Sequence, residues 1–514
     1  LDPKCERKRL MMDRKLILTF IAMGIGILVV TVDITAINVA LPAIEKAFDV
    51  SLGTVEWIVS GYILAFAVLM VTCGRLADMY GRRKIFLLGL VIFGSASLIG
   101  GLSQSSGLLI TMRIFQGAGG AFLWPTIIGI CYASVSDHKK GYAVGLIMGA
   151  AGIGNAGGPL VGGVFTEFLS WRWVLFLNVL LAIAAGVITL CVVPEQSTEE
   201  EQRIDYFGII TISIALVSLL YALDQSTIWG WSSVKTIILI IASIVFLFVF
   251  VKFEQKQENA LIPEDVMNNR GFMVNCLIMA TLIPTFFCIL LYLPQYLEKF
   301  RHYAPLRAGA ALVPVLLSYA LTSAFSGKLY HSLGPKRSIV IGMLLTAIGT
   351  FCIIIFGFGT SYVSMFLASI VSGIGLGIAN PSITTAAIGS VKESRASLAG
   401  GIVFMFQLSG AALGLAVITT IFIDTAINDF VGRISTVDLT LSATDVGGIK
   451  SFMLGSGSEQ ILKTELGSST LNKLIPQIRD SYVKGLKMGL GVSGALAFVG
   501  APLALFLQKS RQNE

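Results

Sequence analysis

Charge is what this chain has least of. Only 13% of its 514 residues are Asp, Glu, Lys or Arg, about half the roughly 25% of a soluble domain. Hydrophobic residues make up 55%, and mean hydropathy is +0.82. An ordinary soluble domain is excluded, and an all-α polytopic membrane protein is the class that remains. Histidine is nearly absent. His138, His302 and His331 stand far apart, so no metal site is expected. The seven cysteines are scattered and form no CxxC pair; they read as small apolar fillers rather than a disulfide or metal framework. No G-x-x-x-x-G-K-[ST] run occurs, nor a polar stretch able to hold a nucleotide-binding domain, which excludes an ATP-driven pump. A membrane enzyme would need an intramembrane cluster of His or paired acids, and none is visible. No cofactor is expected. Residues 1–15 are basic and lack a signal-peptide cleavage pattern; Met11 and Met12 are candidate starts.

What the chain has in quantity is long apolar runs. Windows of near-membrane length fall at 16–39, 54–73, 85–102, 107–127, 141–164, 173–193, 206–223, 234–251, 272–296, 308–327, 338–358, 362–381, 397–423 and 482–507. Fourteen spans and a basic N-terminus place both termini in the cytoplasm. The formal charge of +7 invites a nucleic-acid reading. The cations, however, gather in the termini and short loops, which is the pattern of membrane topology and not of a DNA-binding face.

Between the second and third spans lies Gly74-Arg-Leu-Ala-Asp-Met-Tyr-Gly-Arg-Arg-Lys84. So short a connection is a tight turn at the membrane face, and Arg75, Arg82, Arg83 and Lys84 mark that face as cytoplasmic. Gly74 and Gly81 permit close approach of two helix ends. Asp78 can pair with a cation or sit at a helix N-terminus. The pattern G-R-x-A-D-x-x-G-R-R-K resembles the loop-2/3 signature of the major facilitator superfamily of transporters. In that family the loop helps to hold one conformation of an alternating-access machine, which the resemblance implies here for Gly74, Arg75, Asp78, Gly81, Arg82 and Arg83.

Internal repetition agrees. Gly117, Gly119 and Pro125 recur 256 residues on as Gly373, Gly375 and Pro381, and Ala143, Gly145, Gly154 and Gly158 as Ala399, Gly401, Gly410 and Gly414. The loop has a degraded copy at Gly327–Arg337. Spans 1–6 therefore map in the same direction onto spans 9–14, with two left over between. This resembles the fourteen-helix drug/proton antiporter branch: two six-helix parallel-repeat halves plus two extra central helices. The expected organisation is a cytoplasmic N-terminus (1–15), a first bundle (16–193), a linker with the extra helices (194–271), a second bundle (272–423 plus 482–508), and a long extracytoplasmic loop (424–481), functional or disordered, with amphipathic hints at Leu462, Leu466, Leu471, Leu474 and Ile478.

Two charges stand inside spans. Asp33, in Thr31-Val-Asp-Ile-Thr-Ala-Ile-Asn-Val-Ala-Leu-Pro42, is expensive in a membrane, about 2.5–3.5 kcal/mol on insertion scales, and such groups usually face a cavity or partner. Burial favours its neutral form, and a neighbouring cation favours its charged form. Arg113 stands in Met112-Arg-Ile-Phe-Gln-Gly-Ala-Gly-Gly-Ala121. With a rise of about 1.5 Å per residue, each lies about 9 Å from the outer end of its span. They are therefore level and able to interact directly or through water, and Gln116, one turn on, extends the polar path. The alternatives are a carboxylate reaching outer water and an arginine snorkelling to the interface. Both stretches resemble family motifs, which imply proton coupling for Asp33 and Arg113. A third stretch, glycine-rich from Gly145 to Gly163, ends in Gly158-Pro-Leu-Val-Gly-Gly163. It resembles the exporter motif G-x-x-x-G-P-x-x-G-G, here Gly154, Gly158, Pro159, Gly162 and Gly163, and implies antiport rather than uptake. Trp171-Arg-Trp-Val-Leu-Phe-Leu-Asn178 reads as an interfacial aromatic anchor; it also resembles a family sequence at this place, with Leu180 where that sequence usually has proline. The second half has no acid matching Asp33; some members of the family it resembles that export divalent cations carry an acid there, so the resemblance implies that divalent substrates are not expected. Asn38, Gln116, Asn155, Tyr319 and Gln407 are candidate residues of a substrate cavity, with Asn275 and Asn380 further uncharged candidates; Glu56 and Asp224 read as interfacial or solvated.

The expected function is proton-coupled export of amphipathic cationic or neutral compounds from a bacterial cytoplasmic membrane, by a monomer whose partners are the substrate, protons and the bilayer. Export of one endogenous product is the alternative on the same fold. A receptor or sensor would not need both Asp33 and Arg113 in the membrane.

Overall fold

A computed structural model describes residues 3–195, 204–257, 259–358, 362–434, 442–454, 462 and 466–507. The long helices are α1 (Pro3–Phe48), α2 (Leu52–Tyr80), α3 (Arg82–Gly101), α4 (Ser106–Ala133), α5 (Lys140–Phe168), α6 (Arg172–Val192), α7 (Tyr206–Trp229), α8 (Val234–Glu254), α9 (Arg270–Arg301), α10 (Val313–Cys352), α11 (Tyr362–Ile388), α12 (Ala396–Ile434), α13 (Ala443–Leu454) and α14 (Ser468–Leu503). Among the described residues, thirteen helices are long and apolar enough to cross a membrane. One of these segments, Arg307–Phe356, runs 50 residues, far beyond the roughly 20 that span a bilayer. It is broken at Gly334, whose φ of 79° and ψ of 165° are not helical. Two crossings follow, and the total is fourteen.

Gly334 repeats Gly81, which joins α2 to α3 at φ 101°; glycine alone takes this region without strain. The repeat extends to packing. A Cβ on Gly117 would overlap the Tyr62 carbonyl, and one on Gly373 the Val315 carbonyl; Gly119 meets the Phe93 backbone nitrogen, and Gly375 that of Thr346. Residues 256 apart on the fourth helix of each half thus press on residues 253 apart on the second and third.

The loop signature gathers one end of the molecule, called here the basic end. Arg83 donates to the Leu190 carbonyl at 2.9 Å, Asn269 to the Ser390 carbonyl at 2.7 Å and Lys336 to the Leu505 carbonyl at 2.6 Å. At the opposite end Arg172 donates to the Ser103 carbonyl at 2.9 Å.

The stretch expected as a loop at 424–481 is largely helical where it is described. α12 continues to Ile434, and α14 begins at Ser468. Apolar periodicity marks only where an apolar run ends, and a helix can run on past that level. Asp429 shows how: it holds Arg433 at 2.6 Å one turn on and Ser481 at 2.9 Å across to α14. α13 starts at a reciprocal cap, in which Ser442 N donates to Asp445 Oδ2 and Asp445 N to Ser442 Oγ. Hydrogen bonds from the Ser442 side chain and backbone to the carboxylate hold Asp445 below the usual acid range. Ile449, Phe452 and Met453 of α13 are buried, as are Leu462, Leu471, Leu474 and Ile478. Lys299 of α9 closes the contact by donating to the Phe452 carbonyl at 2.7 Å, at the C-terminal turn of α13, where a cation is favoured. Residues 196–203 of the expected linker, Glu199, Glu200 and Glu201 among them, and the end of the second bundle at 508 lie outside the described residues.

Candidate functional site

Asp33 has no solvent exposure and Arg113 has 1%. Arg113 Nη1 donates to Asp33 Oδ2 at 2.6 Å. Around this pair four helices contribute polar groups. Gln116 accepts from Arg113 Nη1 at 2.7 Å and donates to Asp33 Oδ1 at 3.0 Å. Asn178 of α6 donates to the same oxygen at 2.7 Å. Ser97 of α3 accepts from Gln116 at 3.2 Å and passes its own proton to the Leu175 carbonyl at 2.9 Å. Arg113 Nε donates to the Ile58 carbonyl at 3.0 Å. An ionised carboxylate accepts only, and here every contact to Asp33 comes from a donor. The cluster is therefore built around the charged form. A proton arriving at Asp33 would replace the contact with Arg113 and leave a buried cation to be accommodated.

Asn178 and Ser97 join the cluster in addition to the residues that the sequence singles out for it. The aromatic stretch that ends at Asn178 divides. Trp173 is 45% exposed, as an anchor should be, whereas Trp171 and Asn178 are buried. A neutral amide in a span has no signature of its own; its periodic distance from the exposed Trp173 was the available hint.

The glycines of α5 fix the helix that carries Asp33. Cβ atoms on Gly154, Gly158 and Gly162 would overlap Thr31 Oγ1, Thr35 Oγ1 and the Ala36 carbonyl, all flanking Asp33, while Gly163 faces open space. Pro159 is half-buried. Nearer the basic end, the partner of α5 changes. Gly145 meets the Ser323 carbonyl, Gly149 the Ala320 carbonyl and Gly152 the Tyr319 ring, all on α10 of the other half. α12 repeats the switch: Gly401 meets the Met70 carbonyl across the halves, and Gly410 and Gly414 meet Ala280 and Pro284 within their own. The halves are joined toward the basic end, and an aromatic floor of Phe66, Trp124 and Phe404 ends the seam, with Trp124 and Phe404 centroids 3.9 Å apart.

The loop signature bridges that seam. Asp78 is 6% exposed. It accepts from Leu398 N at 2.8 Å and Ser397 N at 3.3 Å, the first turn of α12, where unpaired N–H groups favour an anion. Arg82 donates to Asp78 at 3.0 Å, to the Gly129 carbonyl at 3.2 Å and to the Glu393 carbonyl at 2.7 Å. Gly74 lies under Ser397, where a Cβ would come within 2.7 Å of its carbonyl. Lys140 pairs with Glu393 at 2.6 Å, and Arg395 with Asp265. Arg75 lines a small cavity with Asp205 and Asn259.

Of the candidate cavity residues, Gln116 alone joins the Asp33 cluster. Asn38 is exposed and donates to the Ile34 carbonyl of its own helix. Asn155 and Gln407 are half-buried, and Tyr319 is buried in the seam against Phe286 at 5.7 Å. Asn275 and Asn380 are buried; Glu56 and Asp224 are exposed.

The sequence profile described as Major Facilitator Superfamily matches residues 23–415. The chain belongs to the Major Facilitator Superfamily. Its relatives in that superfamily include the tetracenomycin C resistance and export protein of Streptomyces glaucescens, 27% identical, with 96% of this chain and 92% of that protein covered. The multidrug resistance protein Stp of Mycobacterium tuberculosis is 30% identical over 80% and 76%, and the puromycin resistance protein of Streptomyces alboniger 30% over 77% and 79%. Among solved structures, the superfamily's proton:xylose symporter XylE superposes with a TM-score of 0.61 at 12% identity, covering 97% of both chains. The human organic anion transporter MFSD10 gives 0.60 at 12%, covering 96% of this chain and 99% of that one. Both likenesses speak to the fold alone. As a member of this superfamily the chain is a multi-pass transporter of small molecules.

Proposed function

We propose that this protein is a proton-coupled antiporter that exports amphipathic cationic or neutral compounds across the bacterial cytoplasmic membrane by alternating access, acting as a monomer. The basic end is then cytoplasmic and carries both termini. The rocking units are residues 16–193 and 272–423 with 482–508, with 194–271 between them. The observation that carries this reading is the Asp33–Arg113 pair, fully buried within one half and away from the inter-half lock. With the cytoplasmic seam closed, protons reach Asp33 from outside. Protonation releases Arg113, rearranges α1 and α4, and biases the seam held by Asp78 and Arg82 toward opening; substrate then enters from the cytoplasm and favours proton release. The relatives are resistance and export proteins by name, which supports the export direction.

The test is transport of a fluorescent lipophilic cation in everted vesicles, comparing wild type with Asp33→Asn, with and without an uncoupler. Uncoupler-sensitive transport that is lost in a normally expressed Asp33→Asn supports the proposal; equal transport by both proteins refutes it. A dedicated exporter of one endogenous product is the second reading, favoured by relatives named for single antibiotics. It predicts no dye movement by wild type and a metabolite that accumulates in a deletion strain.

A further inference from the structure

We infer that the ring of Tyr62 is the place where the Arg113 guanidinium rests once Asp33 is protonated. This makes Tyr62 a positioning residue of the coupling site, and the inference rests on the proton-coupled reading above. Arg113 Cζ stands 4.3 Å from the ring centroid, within the roughly 6 Å over which a cation is drawn to an aromatic face. Tyr62 has no exposure, and its backbone is pinned: Gly117, one turn from Arg113, presses on the Tyr62 carbonyl, and a Cβ on Gly120 would come within 3.2 Å of its hydroxyl. The ring stays under the guanidinium as long as α2 and α4 remain packed.

The phenol explains little by itself. Among the described residues its buried hydroxyl has no hydrogen-bond partner, a costly arrangement, so no hydrogen bond there accounts for the side chain in this state. The ring does have a task. When Asp33 takes a proton, Arg113 loses its counter-charge yet remains buried, where a lone ion is strongly disfavoured. The Ile58 carbonyl and Gln116 Oε1 are neutral acceptors at its edge; Tyr62 covers its face. The negative face of the ring attracts the cation and disfavours a nearby carboxylate, so it contributes more when Asp33 is neutral. Other charges on the helices packed here sit toward the helix ends: Glu56 on α2 is exposed, and Arg172 on α6 is held at the Ser103 carbonyl.

The experiment is a double-mutant cycle on the thermal unfolding of the purified full chain. Tyr62→Leu and Tyr62→Phe are each placed in wild type and in Asp33→Asn, a mimic of the protonated site, across a pH series. Tyr62→Leu should lower the unfolding midpoint more in Asp33→Asn than in wild type, and Tyr62→Phe should restore it in both. In the otherwise wild-type chain, the pH at which stability changes should fall by about one unit in Tyr62→Leu and stay in place in Tyr62→Phe. An equal or smaller loss in Asp33→Asn overturns the inference, as does a Phe variant no better than Leu. Should Leu prevent folding in both backgrounds, Tyr62→Met against Tyr62→Phe decides by the same comparison. If wild type and Asp33→Asn share one pH profile, Asp33 does not titrate and the coupling reading fails by itself, whatever the Leu–Phe difference.

Discussion

At Asp33, one carboxylate oxygen collects an amide from Asn178 and another from Gln116, while the second holds Arg113. Hydrogen bonds to a charged group are worth about 1.5–3 kcal/mol. Asn178→Leu should therefore make the carboxylate easier to protonate, and the acid-side midpoint of transport should move to higher pH by roughly one to two units. That direction is opposite to the one expected for Tyr62→Leu, and a pH profile of vesicle transport reads both. Arg113→Met leaves a buried carboxylate alone, a change that costs about 3–5 kcal/mol when one partner of a buried pair is removed. The variant should keep its fold best at low pH, where Asp33 is neutral, and lose stability as pH rises; thermal unfolding at several pH values checks it. The level positions of Asp33 and Arg113 were legible because helical rise turns residue number into depth. Asn178 and Ser97 were not, because which way a neutral side chain faces depends on the rotation of its helix, and a sequence without internal charge does not report that.

At the scale of the element, α5 is a helix with two faces divided along its length. Gly154 and Gly158 admit α1, and Gly145 and Gly149 admit α10. Overpacking a close contact costs about 1–3 kcal/mol. Gly158→Ala, which would drive a methyl into Thr35, should cut transport severely and lower the unfolding midpoint by several degrees. Gly163→Ala faces open space and should be neutral or slightly stabilising, since alanine restricts the unfolded chain. Measuring both separates a packing requirement from a general intolerance of substitution. The glycine spacing was plain in the sequence, but its two partners were not: one lies about 120 residues away and the other about 180, and nothing local names them. The long stretch before α14 was legible only in its apolar positions. Leu462, Leu471, Leu474 and Ile478 are buried as amphipathic helices bury them, whereas the length of α12 beyond the membrane was hidden by its polar composition.

For the molecule as a whole, the seam near the basic end is a set of bonds that the proposed alternating-access cycle would break and remake at every turn. Asp78→Asn removes a charge from the first turn of α12, an interaction worth about 0.3–1 kcal/mol when exposed and up to ~2 when partly buried. Closure should weaken. With Lys140 and Glu393 both changed to Cys and exposed Cys191 changed to Ser, oxidative cross-linking should be efficient and should block transport until reduced, and Asp78→Asn should lower its yield several-fold. A yield unaffected by Asp78→Asn would mean that the carboxylate is not part of the lock. The repeat made two halves and two extra helices legible; how the halves touch was not, because the partner of Asp78 lies 320 residues away. That partner is also unusual in kind. Asp78 and Arg82 grip amide nitrogens and a carbonyl oxygen of the facing half, at Ser397, Leu398 and Glu393, more than they grip its side chains. Every amino acid but proline supplies those same atoms, so the surface opposite the latch is free to drift over evolutionary time, and to be reshaped for new cargo, without retuning the latch.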